Sequence, residues 1–137
     1  MYVFKTSGRT IGSVVANQRH AFASQPKDWF KSELILVCKN RLDLVPGERQ
    51  VQYTMRFANI RLLRPGEAER FWPGTEGRWT HLVECTDTHR LRRPFELSEV
   101  LGADARSYGP VVNFRKCPKA DEQRIVEFLR RADADVL

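Results

Sequence analysis

Residues 48–63, E-R-Q-V-Q-Y-T-M-R-F-A-N-I-R-L-L, decide how the chain folds. Val51, Tyr53, Met55 and Phe57 alternate with Gln52, Thr54 and Arg56, the period-two pattern of a strand with one buried face. After Phe57 the apolar phase slips, and Ile60 and Leu62 carry it onward. A slip inside a long strand marks a β-bulge, which bends the strand around a barrel corner; a separate strand after a tight turn gives the same pattern.

The flanking segments supply the rest. Upstream, Glu33 to Lys39 (E-L-I-L-V-C-K) reads as a buried strand followed by a turn at Val45-Pro46-Gly47. Tyr2 to Thr6 forms a short first strand, and Ser13 caps a helix predicted to run to about Ala23. Downstream, Arg64 to Gly77 is a loop rich in Pro and Gly, and Trp79 to Thr86 is a strand with Trp79, His81, Val83 and Cys85 on one face. A short helix over Phe95 to Leu101 closes at Gly102, and Val111 to Phe114 is the last strand. Pro118 opens a terminal helix with Asp121 and Glu122 early, Arg130 and Arg131 late, and an apolar stripe of Ile125, Val126, Phe128 and Leu129. Long bent strands punctuated by single helices, without βαβ alternation, predict an α+β fold: one domain over residues 1–137, a small bent mixed β-barrel with flanking helices.

Composition narrows the function. Hydrophobic residues make up 42% and charged residues 29% of 137, ordinary globular usage that excludes a disordered chain. The longest purely apolar run, Leu34 to Cys38, is far short of a membrane span, and Met1-Tyr2-Val3-Phe4 reads as a strand rather than a leader. The expectation is a soluble, cytoplasmic protein. Lys+Arg outnumber Asp+Glu by 23 to 17, and only six of the 23 are lysine. Arginine's planar fork suits phosphate and base edges, which favours a nucleic-acid partner; a GC-rich codon bias gives the same composition without function.

Catalytic and metal chemistry find little footing. Cys38, Cys85 and Cys117 form no C-x-x-C pair and read as reduced, structural thiols. His81, Cys85 and His89 fall at even spacing, but on a strand each step of four spans roughly 13 Å, so the three cannot share one zinc. No nucleophile elbow, P-loop or dinucleotide fingerprint is present, and neither a cofactor nor a metal is expected. Aromatics interleaved with arginine are the stronger signal. Phe71, Trp72 and Trp79 lie among Arg61, Arg64, Arg70 and Arg78, with Arg90, Arg92 and Arg93 close behind. Trp72, in a Pro/Gly loop, reads either as a stacking platform or as a lid over the barrel end.

Taken in order, these segments resemble the EVE and YTH branch of the PUA-like superfamily. The resemblance is carried by Y-V-F-K-T-S at Tyr2 to Ser7, A-N-Q-R-H-A-F at Ala16 to Phe22 and R-F-A-N-I at Arg56 to Ile60. It continues through F-W-P-G and W-T-H-L-V-E between Phe71 and Glu84, R-P-F-E-L at Arg93 to Leu97, and G-P-V-V-N-F-R at Gly109 to Arg115. It implies a PUA-like barrel that binds nucleic acid, DNA in preference to RNA, with a modified base flipped into an aromatic pocket and no catalysis of its own. A separate nuclease or processing partner is implied, and no membrane. By that resemblance Lys5 and Thr6 line the pocket floor, Ser13 and Asn17 face the base edge, Trp72 with Phe71 forms one wall, and Asn113 sits at the mouth. Arg19, Arg92, Arg93 and Arg115 hold phosphate. Where YTH domains carry a cage tryptophan before the asparagine, this chain has Thr10, Ile11 and Ser13, so the pocket is either half aromatic or completed by Trp29 and Phe30. The rival readings are an enzyme domain acting on RNA or a small molecule on the same barrel, and a protein-interaction module docking through Phe71-Trp72.

Overall fold

A computed structural model describes residues 1–39, 50–109 and 113–137. Six strands form one curled sheet: β1 (Tyr2–Thr6), β2 (Arg19–Phe22), β3 (Leu34–Lys39), β4 (Val51–Leu62), β5 (His81–Phe95) and β6 (Asn113–Lys116), in the order β2-β5-β4-β3-β1-β6. Among the described residues only β1 and β3 pair in parallel. Four helices flank the sheet: α1 (Ile11–Asn17), α2 (Glu67–Phe71), α3 (Leu97–Leu101) and α4 (Lys119–Ala132).

The apolar run of β3 follows from burial on both faces. Ile35 and Val37 join Tyr2, Phe4, Met55, Phe57 and Val83 inside the curl, where α1 adds Ile11 and Val14. Leu34, Leu36 and Cys38 face the other way with Val3, against Leu97 and Leu101 of α3 and Ile125 and Leu129 of α4. A strand covered on both faces has no polar side to alternate with. The two edge strands meet through rings, Phe22 of β2 lying 4.8 Å from Phe114 of β6.

The slip after Phe57 is a bulge within one strand. Phe57 pairs with Cys85 and Asn59 with Glu84, so Ala58 is the extra residue. A second bulge sits on β5, where Asp87 and Thr88 oppose Met55 alone and Asp87 takes a φ of 55°. Beyond it the odd positions change sides: Val83 and Cys85 point inside, whereas Leu91 and Phe95 pack on the helices. Val51 accordingly lies in the helix-side core, against the expectation that it shares a face with Tyr53, Met55 and Phe57. A register shift against β3, where Gln52 is the extra residue between Val51 and Tyr53, makes the change on β4.

Several boundaries differ from the sequence expectation. The first helix begins at Ile11 and ends at Asn17, where Gln18 turns left-handed at φ 52°. Arg19–Phe22 is a strand, because His20 and Phe22 point inward against Phe4 while Ala21 faces Leu82 and Trp72 outside. Trp79 precedes β5 rather than sharing its face, and β5 runs on to Phe95, leaving α3 to begin at Leu97. The loop from Arg64 contains α2, and the last strand spans Asn113–Lys116. The Val45-Pro46-Gly47 turn and Val111 and Val112 lie outside the described residues. The terminal helix has the expected polarity, with Ile125 and Leu129 fully buried.

Candidate nucleic-acid interface

Four of the sequence-predicted residues come together on a shoulder built by α1 and α2. Ser13 Oγ donates to the Phe71 carbonyl at 3.2 Å, tying the two helices. Asn17 Nδ2 donates to Ser13 O at 3.0 Å and Oγ at 3.1 Å, so the amide's oxygen is left facing solvent as an acceptor. Phe71 carries two guanidinium groups, Arg19 at 4.7 Å and Arg70 at 5.2 Å from its ring centre. The result is a cationic-aromatic cluster beside an amide whose N–H groups are held by Ser13 and whose oxygen can accept.

The shoulder is held from beneath. Glu67, on the first turn of α2, takes a bidentate pair from Arg61 of β4 at 2.7 and 2.5 Å and the Arg64 backbone N–H at 2.9 Å. Hydrogen bonding by Arg61 pulls the Glu67 carboxyl down to about 2. Arg61 also reaches Glu84 at 3.5 Å, and Glu84 lies 4.0 Å from Arg19. Trp72 is the apolar anchor of the same element. It is only 6% exposed and packs on Ala21 and Leu82, with Leu63, Phe71 and Trp79 around it. Trp72 is therefore a core side chain and forms no pocket wall, because the helical turn of α2 folds its indole onto the space left by Ala21.

The remaining candidates lie elsewhere. Lys5 donates to the Gly109 carbonyl, and its register partner Asn113 donates to the Tyr108 carbonyl at 3.3 Å. Arg115 donates to Ser107 O at 2.6 Å and stacks 4.9 Å from the Tyr108 ring. These three line the 3-10 turn of residues 102–108, on the helix side of the sheet. Thr6 points the other way, into a hydroxyl cluster in which Thr10 Oγ1 lies 2.8 Å from Thr6 Oγ1 and 2.9 Å from Ser7 Oγ. Trp29 stacks on Phe57 at 5.4 Å, at the opposite end of β1 from Thr6, in a loop pinned by Tyr2 and Lys116. Arg92 and Arg93 project from the far end of β5, paired with Asp135 and Glu99.

Arg70 and Thr10 belong to these clusters although the sequence motifs did not select them. Arg70 is set on Phe71 by the turn of α2, which a Pro/Gly-rich loop conceals. Cys38, on the helix side, and Cys85 and His20, inside the curl, are quiet titratable groups. Burial pushes the Cys38 thiol up to about 11 and Cys85 up to about 12, and pulls the His20 imidazole down to about 4.

No family model matches the sequence, and no curated protein matches it. Solved structures do. The crystal structure of ASCH from Zymomonas mobilis superposes with a TM-score of 0.62 at 14% identity, covering 92% of this chain and 93% of that one. A serine-to-alanine variant of that protein gives 0.62 at 13% identity over 93% and 94% of the two chains, and a tyrosine-to-phenylalanine variant gives 0.58 at 14% over 92% and 96%. The EVE and YTH assignment draws no support from these neighbours. At such identities the likeness establishes architecture, and the architecture is a PUA-like barrel shared with ASCH.

Proposed function

We propose that this protein is a non-catalytic nucleic-acid-binding module that grips its ligand on the α1–α2 shoulder. The observation that carries the reading is the Arg19–Phe71–Arg70 stack beside Asn17. A guanidinium-backed ring offers aromatic surface for a base and charge for its phosphates, and the Asn17 oxygen offers an acceptor to a base-edge donor. The PUA-like architecture supports the same class. Selection of a methylated or hydroxymethylated base, in DNA in preference to RNA, is the finer reading, with Phe71 as the aromatic wall that Trp72 does not provide. A binding role without catalysis agrees with the burial of the three cysteines and of His20.

The test is an anisotropy titration at two salt concentrations. Single-stranded DNA and RNA of one sequence are compared plain and with 5-methylcytosine, 5-hydroxymethylcytosine or N6-methyladenine. Binding that falls steeply with salt is expected. Replacing Arg19 and Arg70 by Gln should reduce the slope of log K against log salt by up to about 2, and Phe71→Ala should weaken every ligand. Asn17→Ala should erase discrimination between plain and modified bases. Arg92 and Arg93 already spend their charge on Asp135 and Glu99, so their replacement by Gln should change the slope less. Absence of binding at either salt overturns the reading; uniform binding of plain and modified strands overturns the modified-base part alone.

A further inference from the structure

The barrel end opposite the shoulder carries a feature that the shoulder does not use. Phe30 is 58% exposed, whereas its neighbour Trp29 packs on Phe57. The loop that presents it is strained and well fastened. Asp28 and Ser32 bracket Trp29, Phe30 and Lys31 with φ of 56° and 70°, a left-handed backbone on residues that disfavour it. Glu33 Oε1 accepts the Phe30 N–H at 3.1 Å, the Ser32 N–H donates to the Phe57 carbonyl at 2.8 Å, Lys116 donates to the Asp28 carbonyl, and Tyr2 donates to the Lys27 carbonyl. A segment held so firmly, with its largest apolar ring turned outward, is organised for contact rather than for burial.

The charges around the ring define the contact. Lys116 Nζ lies 5.5 Å from the Phe30 ring centre, and Lys27 and Lys31 flank it, both exposed. Three of the chain's six lysines thus fall over or beside Phe30, one at its ring and two within three residues of it in sequence, in a protein that uses arginine nearly everywhere else. Glu33 beneath is buried and compensated by the Met1 ammonium at 2.5 Å and Lys116 at 3.3 Å, which leaves Asp28 as the exposed acid of the loop. One ring is too small an apolar area to seat a protein surface, but it matches the face of one base, with exposed lysines on both sides of it in sequence to supply charge for phosphates.

We propose that Phe30, with Lys27 and Lys31, is a second nucleic-acid contact: a stacking platform for one unpaired base of a strand that also engages the shoulder. The proposal rests on the nucleic-acid reading above and adds a site at the other end of β1. A strand long enough to reach both sites binds more tightly than one that reaches either alone.

The test uses the full chain and a fluorescein-labelled oligothymidylate of about twenty nucleotides, with an abasic strand of equal length as control. Phe30→Ala should weaken oligothymidylate binding at least about fivefold, and Phe30→Trp should restore it. On the abasic strand the difference between wild type and Phe30→Ala should vanish. Lys27→Glu with Lys31→Glu should weaken both strands and lower the salt slope by about 2. An unchanged melting temperature in Phe30→Ala establishes that the fold is intact. Binding by Phe30→Ala within twofold of wild type, while Arg19→Gln binds weakly, overturns this proposal and leaves the shoulder standing. Failure of the wild type to bind overturns both. Phe30-dependent self-association in sedimentation, with oligonucleotide binding unchanged, assigns the surface to a second copy and likewise overturns it.

Discussion

His20 makes the stability of this barrel sensitive to pH in a way that can be isolated by one substitution. Its imidazole lies inside the curl, stacked 4.2 Å from the Phe22 ring and edge-on to Phe4 at 5.6 Å. Its Nδ1 pairs with the Ala21 carbonyl at 3.0 Å, and Nε2 has no partner among the described residues. Since a carbonyl only accepts, the proton sits on Nδ1. Burial pulls the pKa from 6.5 down to about 4, with the Ala21 hydrogen bond opposing weakly. The folded state therefore binds a proton less readily than the unfolded chain. The contribution of neutral His20 is complete above pH 6.5 and is lost progressively as pH falls toward 4; below 4 it adds no further slope. The difference corresponds to about 3 kcal/mol, most of it gone by pH 4.5. Urea midpoints of wild type and His20→Phe, measured from pH 7 to 4.5, read this directly. The phenyl ring keeps the stack on Phe22 and cannot titrate, while every carboxylate is common to both proteins. With a denaturant slope of about 2 kcal/mol/M, the wild-type midpoint should fall by roughly 1.5 M more than that of the variant. Parallel curves for the two proteins would refute a buried, neutral His20.

Two further substitutions separate support from contact. Trp72→Ala should cost about 3–5 kcal/mol in urea unfolding, because it empties the centre of the cluster on Ala21 and Leu82; a loss below about 1 kcal/mol would return Trp72 to the surface. Glu67→Gln should cost about 1–3 kcal/mol at pH 7 by breaking the charged bidentate pair with Arg61. Because the folded carboxyl is held at about 2, the advantage of wild type over that variant should persist down to the ordinary carboxylate range near 4.5 and fade below it. A pH-independent difference would show that the ion pair is not its source.

The sequence made β3, the bulged β4 and α4 legible, since each is long enough to display its period. It concealed β2, because R-H-A-F offers only two inward positions and one of them is a histidine that reads as polar. Burial of His20 depends on Phe4 and Phe22, which come from two other positions in the chain. The displacement of Val51 was equally hidden: a register shift on β4 becomes visible only against the partner strand. For the shoulder, the motif named Ser13, Asn17, Arg19 and Phe71, which the structure brings to one place, but it could not rank Phe71 above Trp72. Two adjacent aromatics in a loop look alike until the loop contains a helical turn. That turn sends one ring inward onto Ala21 and leaves the other under two guanidinium groups.

The same packing explains where a ligand can be met. β1 and β3 are buried on both faces, one against the barrel interior and one against α3 and α4. The centre of the sheet therefore presents no open surface on which bases could be laid, as a one-sided antiparallel sheet does. On the reading proposed above, the contacts lie on what projects from the ends of the barrel. At one end α1 fills the interior with Ile11 and Val14 while its polar positions Ser13 and Asn17 turn outward to α2. At the other, Trp29 fills the interior against Phe57 and Phe30 is left outside. Each end thus follows one rule: an apolar plug satisfies the core, and the next residues of the same segment are free to meet a partner. On the reading proposed above, a ligand that bridges both ends would be a flexible polyanion with exposed bases, which is the chemistry of a single strand.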